Sequence, residues 1–157
     1  MQKSDLNLFF ARIRNIHTFV ILILVIILMT SVFYTYTFGA LTKLQLESSY
    51  LLIILIALAN LSAVLYSAVI IQRNQKKLDF QATLDKKTTS YRKAYLRQMI
   101  IISFFILIDT ITFLLTGNKV LFLMAFAVLI FLFSLNPSKE KFIKHTPLSE
   151  AEKKLFD

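Results

Sequence analysis

The sequence predicts an all-α, polytopic membrane protein, a four-helix antiparallel transmembrane bundle with short amphipathic helices on the cytoplasmic side at its N- and C-terminal ends. Three observations predict it. Four long apolar runs, Ile16–Phe38, Tyr50–Ile71, Leu96–Leu115 and Val120–Leu135, take up more than half of the 157 residues. The composition is 57% hydrophobic and only 17% charged, more apolar and less charged than soluble domains. Positive charge also falls on alternate sides of the runs. Of 18 Lys and Arg, all but Lys43 and Lys119 lie in the N-terminal arm, the second connection counted through Arg97, or the tail.

A bilayer core takes roughly 20 apolar residues per helix, within a range of about 17–25. Three runs meet that length. Val120–Leu135 is short and spans only with help from Lys119 and the polar residues after Leu135. Four such helices leave no room for a separate soluble unit, so residues 1–157 are expected to form a single integral membrane domain.

The N-terminal arm carries Leu6, Phe9, Phe10, Ile13 and Ile16 at helical spacing, with Arg12 and Arg14 off that stripe. It reads either as an interfacial helix bending into the first span or as the first turns of that same helix. The first run is long for a signal-peptide apolar region, which takes about 7–15 residues, so it is expected to be a retained helix. Tyr34 and Tyr36 mark its far end as an aromatic belt, and Gly39 stops it.

The connection Gly39–Ser49 carries only Lys43 and Glu47 as charges. The second connection, residues 72–95, is strongly basic and has neither Pro nor Gly, so both flanking helices are expected to extend beyond the membrane as a helical hairpin. Thr116-Gly117-Asn118-Lys119 reads as a tight turn, because Gly and Asn tolerate left-handed backbone. In the tail, residues 136–157, Asn136-Pro137 is expected to end the fourth span and start a helix, with Asn136 as cap. Ser149-x-x-Glu152 is a capping-box pattern.

The charge asymmetry orients the chain. Positive-inside bias puts both termini and the 72–95 segment in the cytoplasm. The abundance of Lys, Ile, Leu and Phe hints at an AT-rich bacterial genome, so the expected location is a bacterial inner membrane. The net charge of +9 is read as topology and as attraction to anionic lipids at the cytoplasmic face, about 1 kcal/mol per basic residue, and not as a nucleic-acid surface.

Inside the spans, Asp109 is the one ionisable residue at depth. A carboxylate there costs a few kcal/mol even on insertion scales, and a functional role is the default hypothesis. By chain position Asn60, Thr30 and Ser31 lie at similar depth, and Thr112 sits one turn beyond Asp109. Asp109, Thr112, Asn60, Thr30 and Ser31 are therefore expected to form an intramembrane polar cluster, either locking helices together or binding a proton or cation. Ala59, Ala63 and Ser67 recur every four residues in the second span, a spacing of small residues that permits close helix packing. The fourth span, nearly all Leu, Phe, Val, Ile and Ala, suits lipid or a flat apolar protein contact.

Most chemistry has no residues to carry it. There is no Cys, hence no thiolate chemistry or Cys-ligated metal. The two histidines, His17 and His145, lie toward the cytoplasmic side; His17 is expected to be an interfacial residue. No Gly-rich phosphate loop, HExxH motif or paired Asp is present. No metal or cofactor is expected, nor an enzyme. Small multidrug transporters are also short four-helix proteins, but this chain lacks the first-span Glu, the Trp residues and the several Gly of that family. The expected role is a non-catalytic accessory or scaffold subunit of a larger inner-membrane complex, with a larger membrane protein or further copies of itself as partner. The alternative is a small homo-oligomeric transporter or channel working through Asp109.

Overall fold

The computed structural model describes residues 3–41, 50–76 and 81–156. Lys43 and Glu47 of the first connection, and Lys77 and Asp79 of the second, lie outside the described residues. Among the described residues six helices follow one another: α1 Lys3–Phe38, α2 Tyr50–Lys76, α3 Leu84–Thr116, α4 Lys119–Ser134, α5 Lys139–His145 and α6 Glu150–Lys153. No strand occurs among the described residues.

Helices α1, α2 and α3 are each long and apolar enough to cross a membrane. Helix α4 has 16 residues, about 24 Å at a rise of ~1.5 Å per residue, short of a ~30 Å hydrocarbon core. It makes a fourth span only when joined to α5, which turns away from it by 82°. The outer surface fits an apolar solvent. Phe33 (67% exposed), Leu51 (71%) and Phe133 (63%) stand among more than two dozen large apolar side chains facing outward, far more than an aqueous surface carries without aggregating.

No separate interfacial helix precedes the first span. With neither Gly nor Pro between Lys3 and Phe38, nothing breaks the backbone ladder, and α1 is one 36-residue helix. Leu6, Phe10, Ile13, His17, Ile21, Leu24, Leu28 and Ser31 follow at steps of three or four and are all buried. The amphipathic stripe of the arm is therefore the start of a packing seam running most of the helix length, against protein and not lipid.

Both glycines end helices in the left-handed conformation, Gly39 at φ 84° and Gly117 at φ 68°. The Gly117 amide closes α3 on the Phe113 carbonyl at 2.7 Å, and the Asn118 side chain caps α4 by accepting from the Val120 amide. The α3–α4 turn is the one the sequence predicts. The hairpin extension also appears in part: α2 runs on to Lys76 and α3 starts at Leu84, well ahead of its apolar stretch.

The expectations for the tail need one correction. Ser138, not Asn136, caps α5, its hydroxyl accepting from the Lys141 amide. Leu135 still closes α4, and the 82° change of direction consumes residues 135–138 before a new helix starts. The tail helices fold back onto the bundle. Phe142, Leu148 and Phe156 are buried against Leu6 and Phe10 of α1 and Tyr91 of α3, forming a second, aromatic core beside the one shared by α1, α3 and α4. The Phe142 ring meets Tyr91 at 5.1 Å, Phe156 at 5.6 Å and Phe10 at 5.7 Å. Burying each such ring contributes about 2–3 kcal/mol, which anchors the tail. The capping box forms as predicted, with both reciprocal bonds between Ser149 and Glu152.

Candidate functional site

Helices α2 and α3 meet along a polar seam. The Asn60 Nδ2 donates to Asp109 Oδ2 at 2.8 Å, and both side chains are buried, Asp109 fully so. Further along, the Gln98 Nε2 donates to the Ser67 carbonyl at 2.8 Å. Rising numbers on α3 meet falling numbers on α2, so the two helices run antiparallel. Between these bonds the α2 face carries Ala63, buried and small, and Ser67 is wholly buried. Small residues let the backbones approach closely enough for a side chain to reach across to a main-chain carbonyl. Ala59 is only half-buried; the packing stripe runs Asn60, Ala63, Ser67.

Of the five residues expected to cluster, only Asn60 joins Asp109. Thr30 is exposed on the outer face of α1, one helical step off the buried Leu24–Leu28–Ser31 stripe. Its hydroxyl donates to the Ile26 carbonyl of its own helix at 2.8 Å. Ser31 is buried, but donates to Ile27 in the same way. Thr112 donates to Ile108. An apolar surround explains the pattern: a hydroxyl without water satisfies itself on the carbonyl four residues back.

Two orphan atoms mark the Asp109–Asn60 pair. Asp109 Oδ1 and Asn60 Oδ1 are both buried and have no hydrogen-bond partner among the described residues. An unmade bond in such surroundings costs about 1–3 kcal/mol. Asn60 also lines an apolar groove of about 350 Å³ between α2 and α4.

Several polar residues that matter to the assembly escape a reading by depth alone. His17 is buried against protein, its Nε2 meeting the Leu132 carbonyl at 3.0 Å and joining α1 to the end of α4. It lies four residues after Ile13 and four before Ile21, and that spacing was the available signal. Gln98 lies eleven residues, about three helical turns, ahead of Asp109 and so on the same face. Thr110, also buried, returns its hydroxyl to Ile106. Lys87, expected in an open basic segment, is buried and paired with Glu152 at 2.8 Å.

No group of three or more His, Cys, Asp or Glu side chains able to hold a metal ion occurs among the described residues. Comparison with protein-family models, with curated proteins and with solved structures finds no match to this chain.

Proposed function

We propose that this chain is a non-catalytic accessory or scaffold subunit of a bacterial inner-membrane assembly. In this reading α1–α4 form an antiparallel transmembrane bundle, with both termini and the basic 72–95 segment in the cytoplasm. The observation that carries it is the use made of Asp109. The one carboxyl deep in the spans is engaged by Asn60 in tying α2 to α3, a packing role. Meanwhile Leu123, Phe126, Ile130 and Phe133 form an outward apolar stripe on α4, open to another membrane protein. The basic cytoplasmic end offers a second, electrostatic contact.

Purification of the full chain from native membranes in mild detergent, followed by mass spectrometry, tests this. The expected result is a larger membrane protein at fixed stoichiometry, released when Phe126 and Phe133 are both replaced by Gln. A clean homo-oligomer would sink the proposal.

One observation favours a second reading, a small transporter using Asp109 for proton or cation coupling. Two residues joined by a hydrogen bond, Asp109 and Asn60, each keep an unpartnered buried oxygen, and Asn60 lines the α2–α4 groove. A single proton on the carboxyl would supply the missing donor, which is the chemistry of a coupling site. That reading requires Asp109→Asn to abolish pH-coupled flux; the scaffold reading requires it to leave flux in membranes untouched.

A further inference from the structure

At the end of the bundle where the tail folds back lies a cavity of about 300 Å³ among α2, α3, α4 and α5. After the 82° turn that follows α4, α5 supplies one wall of it. Phe142 on one side of α5 is buried in the aromatic core, while Lys141, Lys144 and His145, at i, i+3 and i+4, share another face and line the cavity. No carboxylate lines it among the described residues. Lys141 is held in place by donating to the Ser134 and Asn136 carbonyls at 2.9 and 3.0 Å, and its ammonium keeps a third hydrogen.

The inner wall is polar and unfinished. Tyr95 and Gln98 both line the cavity and are each 2% exposed. The Tyr95 hydroxyl and Gln98 Oε1 have no hydrogen-bond partner among the described residues. A phenol offers a donor, an amide oxygen seeks one, and the rim offers cations. A matching ligand therefore carries an anion and a hydroxyl.

An apolar groove borders the cavity. Phe131 lines both it and the α2–α4 groove, whose other walls include Leu61, Val64 and Met124. A charged chamber beside an apolar groove matches the two halves of an amphiphile.

We propose that this composite cavity binds an anionic glycerophospholipid with a hydroxylated headgroup. The phosphate lies against Lys141, Lys144 and the Tyr95 hydroxyl, a headgroup hydroxyl donates to Gln98, and an acyl chain follows the α2–α4 groove. Basic pockets between helices at the cytoplasmic face are a known form of lipid recognition. The site rests on the membrane placement proposed above, but not on the scaffold role.

The test uses the full chain purified in mild detergent, with phosphatidylglycerol as probe and phosphatidylcholine and glycerol 3-phosphate as comparisons. Native mass spectrometry and thermal melting read the binding. One phosphatidylglycerol per chain is expected, with phosphatidylcholine at least tenfold weaker. Lys144→Gln and Tyr95→Phe should each weaken it about tenfold, the usual effect of losing one charge-assisted bond. Lys139→Gln, on the same helix but outside the cavity, should leave it unchanged. Lys144 is exposed, so its substitution does not threaten folding. Equal binding by wild type, Lys144→Gln and Tyr95→Phe overturns the site. So does equal weakening by Lys139→Gln, which would mean diffuse surface attraction, or displacement by glycerol 3-phosphate at matching concentration, which would mean a soluble ligand. A separate carbonate extraction of membranes distinguishes the underlying failure: a chain released by carbonate takes down the membrane placement itself.

Discussion

Lys87 and Glu152 meet at 2.8 Å across 65 residues of sequence, with both carboxylate oxygens of Glu152 within reach of the ammonium. The pair fastens the last helix to the start of α3. Lys87 is buried, whereas Glu152 keeps some solvent, so the two partners are not equivalent. Glu152→Gln preserves the capping box, which Gln also completes, but removes the negative charge that faces the buried Lys87 ammonium. It should cost about 2–3 kcal/mol, toward the low end for broken buried pairs. Lys87→Met leaves only a partly hydrated carboxylate and should cost less. Limited proteolysis within 142–156 measures both, and equal sensitivity of the two variants would refute the asymmetry.

The same pair carries a pH dependence. Burial pushes the Glu152 carboxyl up, but bonds from Lys87 and from the Ser149 amide and hydroxyl outweigh it and hold it below the ordinary value of 4.5. A depressed folded value means that the stabilisation is fully present above the unfolded one. It is lost as pH falls through the folded one. Tail protection should therefore persist at about pH 5 and collapse only in more acid solution. Hydrogen exchange at Phe142 and Phe156 across that range checks it; loss of protection already near neutrality would contradict the assignment.

The Asn60–Asp109 bond predicts a non-additive cycle. Asn60→Leu strands a buried carboxyl and should cost about 1–3 kcal/mol. Adding Asp109→Leu removes the stranded group, so the double variant should be no less stable than Asn60→Leu alone. The coupling should fall near the ~0.6 kcal/mol average for interhelical bonds in membranes, and below about 1.7. Unfolding of the four proteins in mild detergent gives the number, and zero coupling would mean that the bond does not hold the helices.

Helix spans, the α3–α4 turn, the hairpin extension and the Ser149–Glu152 box were legible because each rests on local chemistry: run length, left-handed glycine, absence of breakers, a cap three residues from its partner. The polar seam was legible only at Asn60 and Asp109. Depth along a span says nothing about azimuth, so Thr30 and Ser31 looked equivalent although one helical step separates outward from inward. The packing of the tail was not legible for a different reason. Phe142, Leu148 and Phe156 are spaced too widely and across too many breaks to show that they share one core with Leu6 and Phe10.

Gly117 and Gly39 share a left-handed backbone but differ in surroundings. A Cβ on Gly117 would lie 3.3 Å from the Ala40 Cβ, whereas one on Gly39 meets nothing within 4 Å. Gly39→Ala should cost only the backbone term of about 1 kcal/mol. Gly117→Ala adds a contact that must open the join between the α1 end and the α3–α4 turn, where the Leu41 amide donates to the Leu114 carbonyl. Its loss should be larger, by about 1 kcal/mol. Thermal unfolding in detergent ranks the two, and a milder Gly117→Ala would show that this join is loose.

Topology rests on charge counting and is open to a direct experiment. Lys87 is a poor labelling position because it is buried, but its neighbour Lys86 is exposed near the start of α3. Lys119 is exposed in the turn at the other end of that helix. The chain has no cysteine of its own, so Lys86→Cys and Lys119→Cys each introduce a unique thiol. Positive-inside bias requires an impermeant maleimide to reach Cys at position 119 in intact cells, and position 86 only after permeabilisation. Labelling of both from the same side would mean that α3 does not cross. Reversed labelling would keep the crossing and invert the chain, moving its basic end, with the cavity lined by Lys141 and Lys144, to the outer leaflet.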